Sequence, residues 1–203
     1  MKKLIGPLLI IVIIFAGGML MRFGADRRDE RGATRLMRSI EKGTDALETE
    51  KLIARSNDLN VEDNSGRTAL FYAVLHSKNP ELLAKLVKEG ADVNAADKAG
   101  QTPLFVAAGQ NGSPQVAEFL ITSGAQINLS DKNGVTPLML AAQKNNKEVL
   151  AVLLRGGGDS QAKDAQGKTV AEYLQENPQL TDQEKTDYRQ AMLVLYLLKP
   201  LNK

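Results

Sequence analysis

The sequence predicts an all-α solenoid of stacked helix–turn–helix units, preceded by an amino-terminal apolar segment. Three observations predict this. Gly66, Gly100, Gly134 and Gly167 recur at a near-constant interval, and a fixed period of roughly 33 residues marks a stack of repeated units. Most of these glycines lead into a threonine and a short apolar run, and a second helical run ends at another glycine. The chain also opens with Met1-Lys2-Lys3 and then an uncharged apolar run from Leu4 to Met21.

Composition narrows the function before any motif does. With 203 residues, 43% of them apolar, the chain is long enough to bury a core and apolar enough to fold. It has no cysteine, which excludes a disulfide framework, a zinc finger and a lipoprotein anchor. A single histidine, His76, leaves too little material for a multi-histidine metal site or a Ser-His-Asp triad. The formal charge of +2 can be assigned to Lys2 and Lys3, since the remaining basic residues match the 24 acidic ones. A neutral body lacks the basic footprint of a nucleic-acid binder. Asp182 and Glu184 have no histidine or metal pattern beside them, so acid–base catalysis is unsupported.

From the amino terminus, residues 1–24 read as a membrane anchor or export signal. Lys2 and Lys3 before an apolar core at 8–16 follow the layout of a signal. Ala16 and Gly18 suit a cleavage point, whereas Met19-Leu20-Met21 extends the run nearly to the length of a span. The length of the run favours an uncleaved anchor, with cleavage as the alternative. Arg22, Arg27, Arg28, Arg31, Arg35 and Arg38 favour retaining the body inside, while the lysine-led start favours export. The start is given the greater weight, so the body is expected outside the inner membrane, anchored or released.

Residues 25–32 are polar without an apolar period and read as a spacer. Residues 33–62 read as an end repeat lacking the Gly-x-Thr turn, with helices at 34–41 and 45–55 and Thr44 as a cap. "DNSGRTALFYAV" from Asp63, "DKAGQTPLFVAA" from Asp97 and "DKNGVTPLMLAA" from Asp131 then align, with a weaker "DAQGKTVAEYLQ" from Asp164. These define repeats at 63–96, 97–130 and 131–163 and a closing repeat at 164–199. The glycines suit turns that need a positive φ. Thr102 and Thr136 are placed as N-caps, with Pro103 and Pro137 at the first helical position, where no N–H is needed. Asn79-Pro80 and Ser113-Pro114 open the second helices by the same device, and Gly90 and Gly124 end them. Phe71, Phe105 and Met139 recur at the period as packing residues. Thr181 to Glu184 forms a capping box that opens a last helix. Its end, "AMLVLYLL", either seals the stack or offers a docking surface.

On these residues the chain resembles the ankyrin-repeat proteins, whose unit of about 33 residues is a turn followed by two antiparallel helices. The resemblance spans roughly residues 33–198. It implies about five repeats, counting the end caps, and a function of binding another protein without catalysis. Ala162 to Thr169, "AKDAQGKT", also fits the loose pattern of a nucleotide phosphate loop. Gly167-Lys168-Thr169 nevertheless shares the register of Gly134-Val135-Thr136, and no apolar strand precedes it. It therefore reads as a repeat turn, which disfavours a nucleotide-dependent enzyme.

The resemblance also implies a concave binding surface made of turn tips and first-helix ends. Carried over by position, it comprises Asn64, Ser65, Arg67, Leu75 and His76, then Lys98, Ala99, Gln101, Gly109 and Gln110. Lys132, Asn133, Val135, Gln143, Lys144 and Lys168 complete it. Arg67, Lys98, Lys132 and Lys144 are joined there by no acid, so the expected partner is a protein with an acidic patch. The expectations include membrane contact through residues 4–21 and a monomeric body when free. They include no metal, cofactor, nucleic acid or small-molecule substrate. Bacterial envelope ankyrin proteins that mask a partner enzyme, including immunity-type inhibitors of peptidoglycan hydrolases, offer one specific role. A tether without inhibition is the other.

Overall fold

The computed structural model describes residues 28–77, 79–144 and 146–197. The apolar segment at 4–21 lies outside these, and among the described residues no helix is long and apolar enough to cross a membrane. All regular structure described is helical, in five successive pairs. The pairs are α1 (Arg35–Lys42) with α2 (Ala46–Arg55), and α3 (Ala69–His76) with α4 (Pro80–Lys88). Next come α5 (Pro103–Val106) with α6 (Pro114–Thr122), and α7 (Pro137–Gln143) with α8 (Lys147–Arg155). The last is α9 (Val170–Glu176) with α10 (Asp182–Leu197). The first helices pack in chain order, α1 on α3, α3 on α5, α5 on α7 and α7 on α9, while α4, α6 and α8 form a second row.

Each helix start follows from its residues. The hydroxyls of Thr34, Thr68, Thr102 and Thr136 accept the backbone N–H three residues on, and Asn79 and Ser113 cap α4 and α6. Gly90 and Gly124 stop those helices at φ +99° and +94°. Thr181 and Glu184 form the expected capping box of α10. The cap expected at Thr44 is corrected: Asp45 holds the N-cap position of α2 without a side-chain cap bond. The Thr44 hydroxyl is instead turned back to donate to the Ser39 carbonyl at 3.1 Å.

The core runs unbroken through the stack. Leu70, Leu83, Leu86, Leu104, Val106, Ala107, Ala108, Leu120 and Leu153 are wholly buried, and small alanines on the first helices let adjacent backbones approach. Phe71, Phe105 and Met139 are also buried, so they hold the repeats together and are not available to a partner. In the last pair, Met192 is buried whereas Leu193 is 57% exposed. The described part of α10 thus covers the end of the stack with one side only.

The repeat beginning at Asp97 is one residue longer than the next. In this repeat α5 continues into a π-helical turn, Ala107–Asn111, whereas in the equally long repeat beginning at Asp63 the first helix ends at His76. Gly109 sits in that turn because a Cβ there would press into Leu140.

Candidate partner-binding surface

The surface is built on a turn whose geometry recurs five times among the described residues. In each, an aspartate accepts two backbone N–H groups on the same carboxylate oxygen. Asp63 accepts from Ser65 and Arg67 at 2.7 and 2.9 Å, and Asp97 from Ala99 and Gln101 at 2.8 and 3.0 Å. Asp131 and Asp164 repeat the arrangement. So does Asp29, which accepts from Arg31 and Ala33 at 3.0 and 2.9 Å.

That fifth turn corrects the expected start of the repeats. Residues 29–34, "DERGAT", form a full repeat turn with Gly32 at φ +78°, so the spacer assigned to 25–32 does not continue past Arg28. The sequence carries a signal for it, because Asp29 and Gly32 stand one repeat length before Asp63 and Gly66. The turn adds Glu30 and Arg31 to the row of tips.

Neighbouring turns are joined backbone to backbone. Asn64 donates to the Arg31 carbonyl at 2.8 Å, Lys98 to Ser65 at 2.8 Å, Lys132 to Ala99 at 2.9 Å and Ala165 to Asn133 at 2.9 Å. A second ladder lies at the other end of each repeat. The Asn94 side chain donates to the Gly124 carbonyl at 3.1 Å and accepts from the Gln126 N–H at 2.8 Å. Asn60 and Asn128 make the same pair of bonds to Gly90 and Asp92 and to Gly157 and Asp159. Sequence reasoning misses these asparagines, although Asn60, Asn94 and Asn128 recur at the period of the turn glycines.

The named surface residues divide by exposure. Asn64, Ser65, His76, Lys98, Ala99, Gln110, Lys132, Asn133, Gln143 and Lys144 are exposed, while Arg67, Leu75, Gln101, Gly109, Val135 and Lys168 are half-buried. The expected even basic strip is changed in two places. Arg67 places its guanidinium 5.2 Å above the Phe71 ring, and its Nε lies 3.7 Å from a carboxylate oxygen of Asp97 in the next repeat. Lys168 donates to both carboxylate oxygens of Glu176 at 2.7 and 2.8 Å, a hydrogen bond that raises its pKa. Lys98, Lys132 and Lys144 make no ion pair among the described residues.

Lys168 occupies the repeat-turn register that the sequence assigns to it. Its backbone N–H donates to Asp164 at 2.8 Å, as that of Val135 does to Asp131, and its ammonium is held by Glu176. Among the described residues no group of three or more His, Cys, Asp or Glu side chains is placed to hold a metal ion.

Paired helices, hydrogen-bonded turns and a continuous core between units define a repeat scaffold that presents side chains from successive tips. The family model described as ankyrin repeats, in three copies, matches residues 11–97 and 72–164. The chain belongs to the ankyrin-repeat family and is a protein–protein interaction module. No curated protein matches it.

Proposed function

We propose that this module is held at the cell envelope through residues 4–21 and covers a partner protein with its turn tips and first-helix ends. The observation that carries the surface is the contrast between scaffold and tips. Gly66, Gly100 and Gly134 hold the same backbone in every turn. By contrast, the tip residues Ser65, Ala99 and Asn133 differ in kind while remaining exposed. A surface that varies on a constant frame suits one chosen partner. The exposed cations Lys98, Lys132 and Lys144 favour an acidic patch on that partner, and the whole role is non-catalytic. Lys2 and Lys3 before the apolar segment support an outward-facing body at the inner membrane, anchored or released by cleavage.

Masking is the proposed consequence of binding, with a peptidoglycan hydrolase as the partner class that self-protection would require. Capture from envelope extract with the full-length chain identifies the partner. Added protein then lowers the partner's activity if it masks it, and changes only its location if it tethers it. A reporter active only outside the cytoplasm, fused after Lys203, should be active and should sediment with membranes. An inactive fusion reverses the assigned topology, and a shortened soluble product means cleavage.

A further inference from the structure

The last helix is longer than the row it belongs to. α4, α6 and α8 have nine residues each, whereas α10 has 16. Its start is fixed against the stack. The buried Asn177 side chain donates to the Ala142 carbonyl at 2.7 Å, and Glu184 pairs with Lys147, the first residue of α8. On that register α8 ends level with about Met192, and residues 193–197 run on about 7 Å past it. The loop after α8, Gly156 to Gln161, has no apolar side chain to receive them. In the two preceding repeats the same loop packs Ala91 with Val93, and Ala125 with Ile127, on the core. Here those places hold Gly158 and Ser160.

The overhang is nevertheless apolar. Ala191 to Leu197 holds only aliphatic, methionine and aromatic residues, two turns of helix with no polar stripe. Met192 is buried in the stack, while Ala191 and Leu193 on either side of it are exposed. Beyond Asp187 the sequence carries Arg189, Lys199 and Lys203 and no acidic side chain.

Occupants differ in what they require of such an end. A groove on a protein covers one face of a helix and suits an amphipathic one, so it would leave part of this run in water. A second copy would bring like charges together, with no acid on this stretch to offset them. An anionic bilayer surface surrounds an apolar end on all sides and attracts the cations beside it. Apolar faces enter the headgroup boundary by about 5–10 Å, the reach of this overhang. The edge agrees as well. Each second helix returns the chain to the edge from which a turn starts, so α10 ends on the edge where Arg28 brings the chain in. We propose that the apolar end of α10 seats in the headgroup region of an anionic membrane, as a second contact beside that of residues 4–21. The shared edge rests on the anchor reading, and the second contact goes beyond it by fixing how the stack lies on the bilayer.

The chain has no tryptophan, so a single introduced one reports its own surroundings. Full-length Leu193→Trp is reconstituted into vesicles carrying brominated lipid, made of phosphatidylcholine alone or of phosphatidylcholine and phosphatidylglycerol in equal parts. In the anionic vesicles its emission should shift to the blue and be quenched. Glu118→Trp, at an exposed position of α6, should show neither change. Lys199→Gln and Lys203→Gln should each lower the ratio of quenched to unquenched Leu193→Trp about five-fold, and phosphatidylcholine alone should lower it too. An unquenched Leu193→Trp in anionic vesicles overturns the proposal. So does quenching that ignores both lysines and lipid charge. A blue shift without quenching assigns the end of α10 to a second copy or a protein groove instead. Sedimentation of the same vesicles separates the two readings. If the chain sediments with Leu193→Trp unquenched, the anchor stands and the second contact fails; if the chain stays in the supernatant, both fail.

Discussion

Arg67 reaches across a repeat boundary to Asp97, its Nε 3.7 Å from a carboxylate whose side chain is only 4% exposed. The same guanidinium covers the buried Phe71 ring. A residue on the proposed binding surface is therefore also part of the joint between two units. Charge and the proposed surface group it with Lys98 and Lys132, but their energetic roles differ.

Charge reversal should reveal this difference. Arg67→Glu sets an anion beside the buried Asp97 carboxylate and removes the cover over Phe71, so it should cost about 1–3 kcal/mol. Lys98→Glu and Lys132→Glu should each stay within about 0.5 kcal/mol, as exposed substitutions do. Urea unfolding of the three variants checks this, and equal midpoints would mean that the Arg67 pair contributes nothing.

Two glycines with nearly the same backbone should respond differently to alanine. Gly134 and Gly167 have φ of +76° and +79°, so both incur the cost of a left-handed alanine, about 1–2 kcal/mol. Above Gly134 a Cβ would lie 2.9 Å from the backbone nitrogen of Ala165, whereas above Gly167 nothing lies within 4 Å. Gly134→Ala should therefore unfold at clearly lower urea than Gly167→Ala. Matching transitions would show that the turns separate freely.

The asparagine ladder should be a measurable part of the stacking energy. Asn94→Ala removes bonds to Gly124 and Gln126 in the next repeat and should cost about 1–2 kcal/mol. Gln161 stands at the corresponding place in the repeat at 131–163, and Gln161→Ala should be nearly silent. A thermal melt of each variant decides it, and coincident melts would leave the ladder without energetic weight.

Alkaline stability should depend on two tyrosines. Burial first, and then a hydrogen bond to Asp63 at 2.9 Å, push the Tyr72 hydroxyl up to about 12. Tyr173 is raised to about 12 by burial and its bond to Asp164 at 2.7 Å. An unfolded tyrosine ionises near pH 10. Because the folded value is raised, the stability linked to each hydroxyl is complete below about pH 10. It is lost as pH climbs through the folded value near 12. Tyr72→Phe should flatten the fall in stability over that window, as followed by circular dichroism against pH. An unchanged slope would mean that the hydroxyl is not held as described.

Much of this protein was legible in its sequence because its signals are local. Thr102 with Pro103, Ser113 with Pro114, and Thr181 with Glu184 start helices through neighbours within a single turn. A turn glycine needs a positive φ whatever lies above it. Those features located the repeats and their family. The turn at Asp29 was equally local and could have been read from its spacing to Asp63.

What only the tertiary structure decided involves partners about a full repeat apart along the chain. The Asn94 clamp closes on Gly124, Arg67 turns to Asp97, and the space beneath Gly109 is filled by Leu140. Even the nearer pairing of Lys168 with Glu176 depends on how a turn is set against the end of its helix. Which lysines remain free is thus a property of the stack, because a charge is neutralised by whatever folding brings beside it.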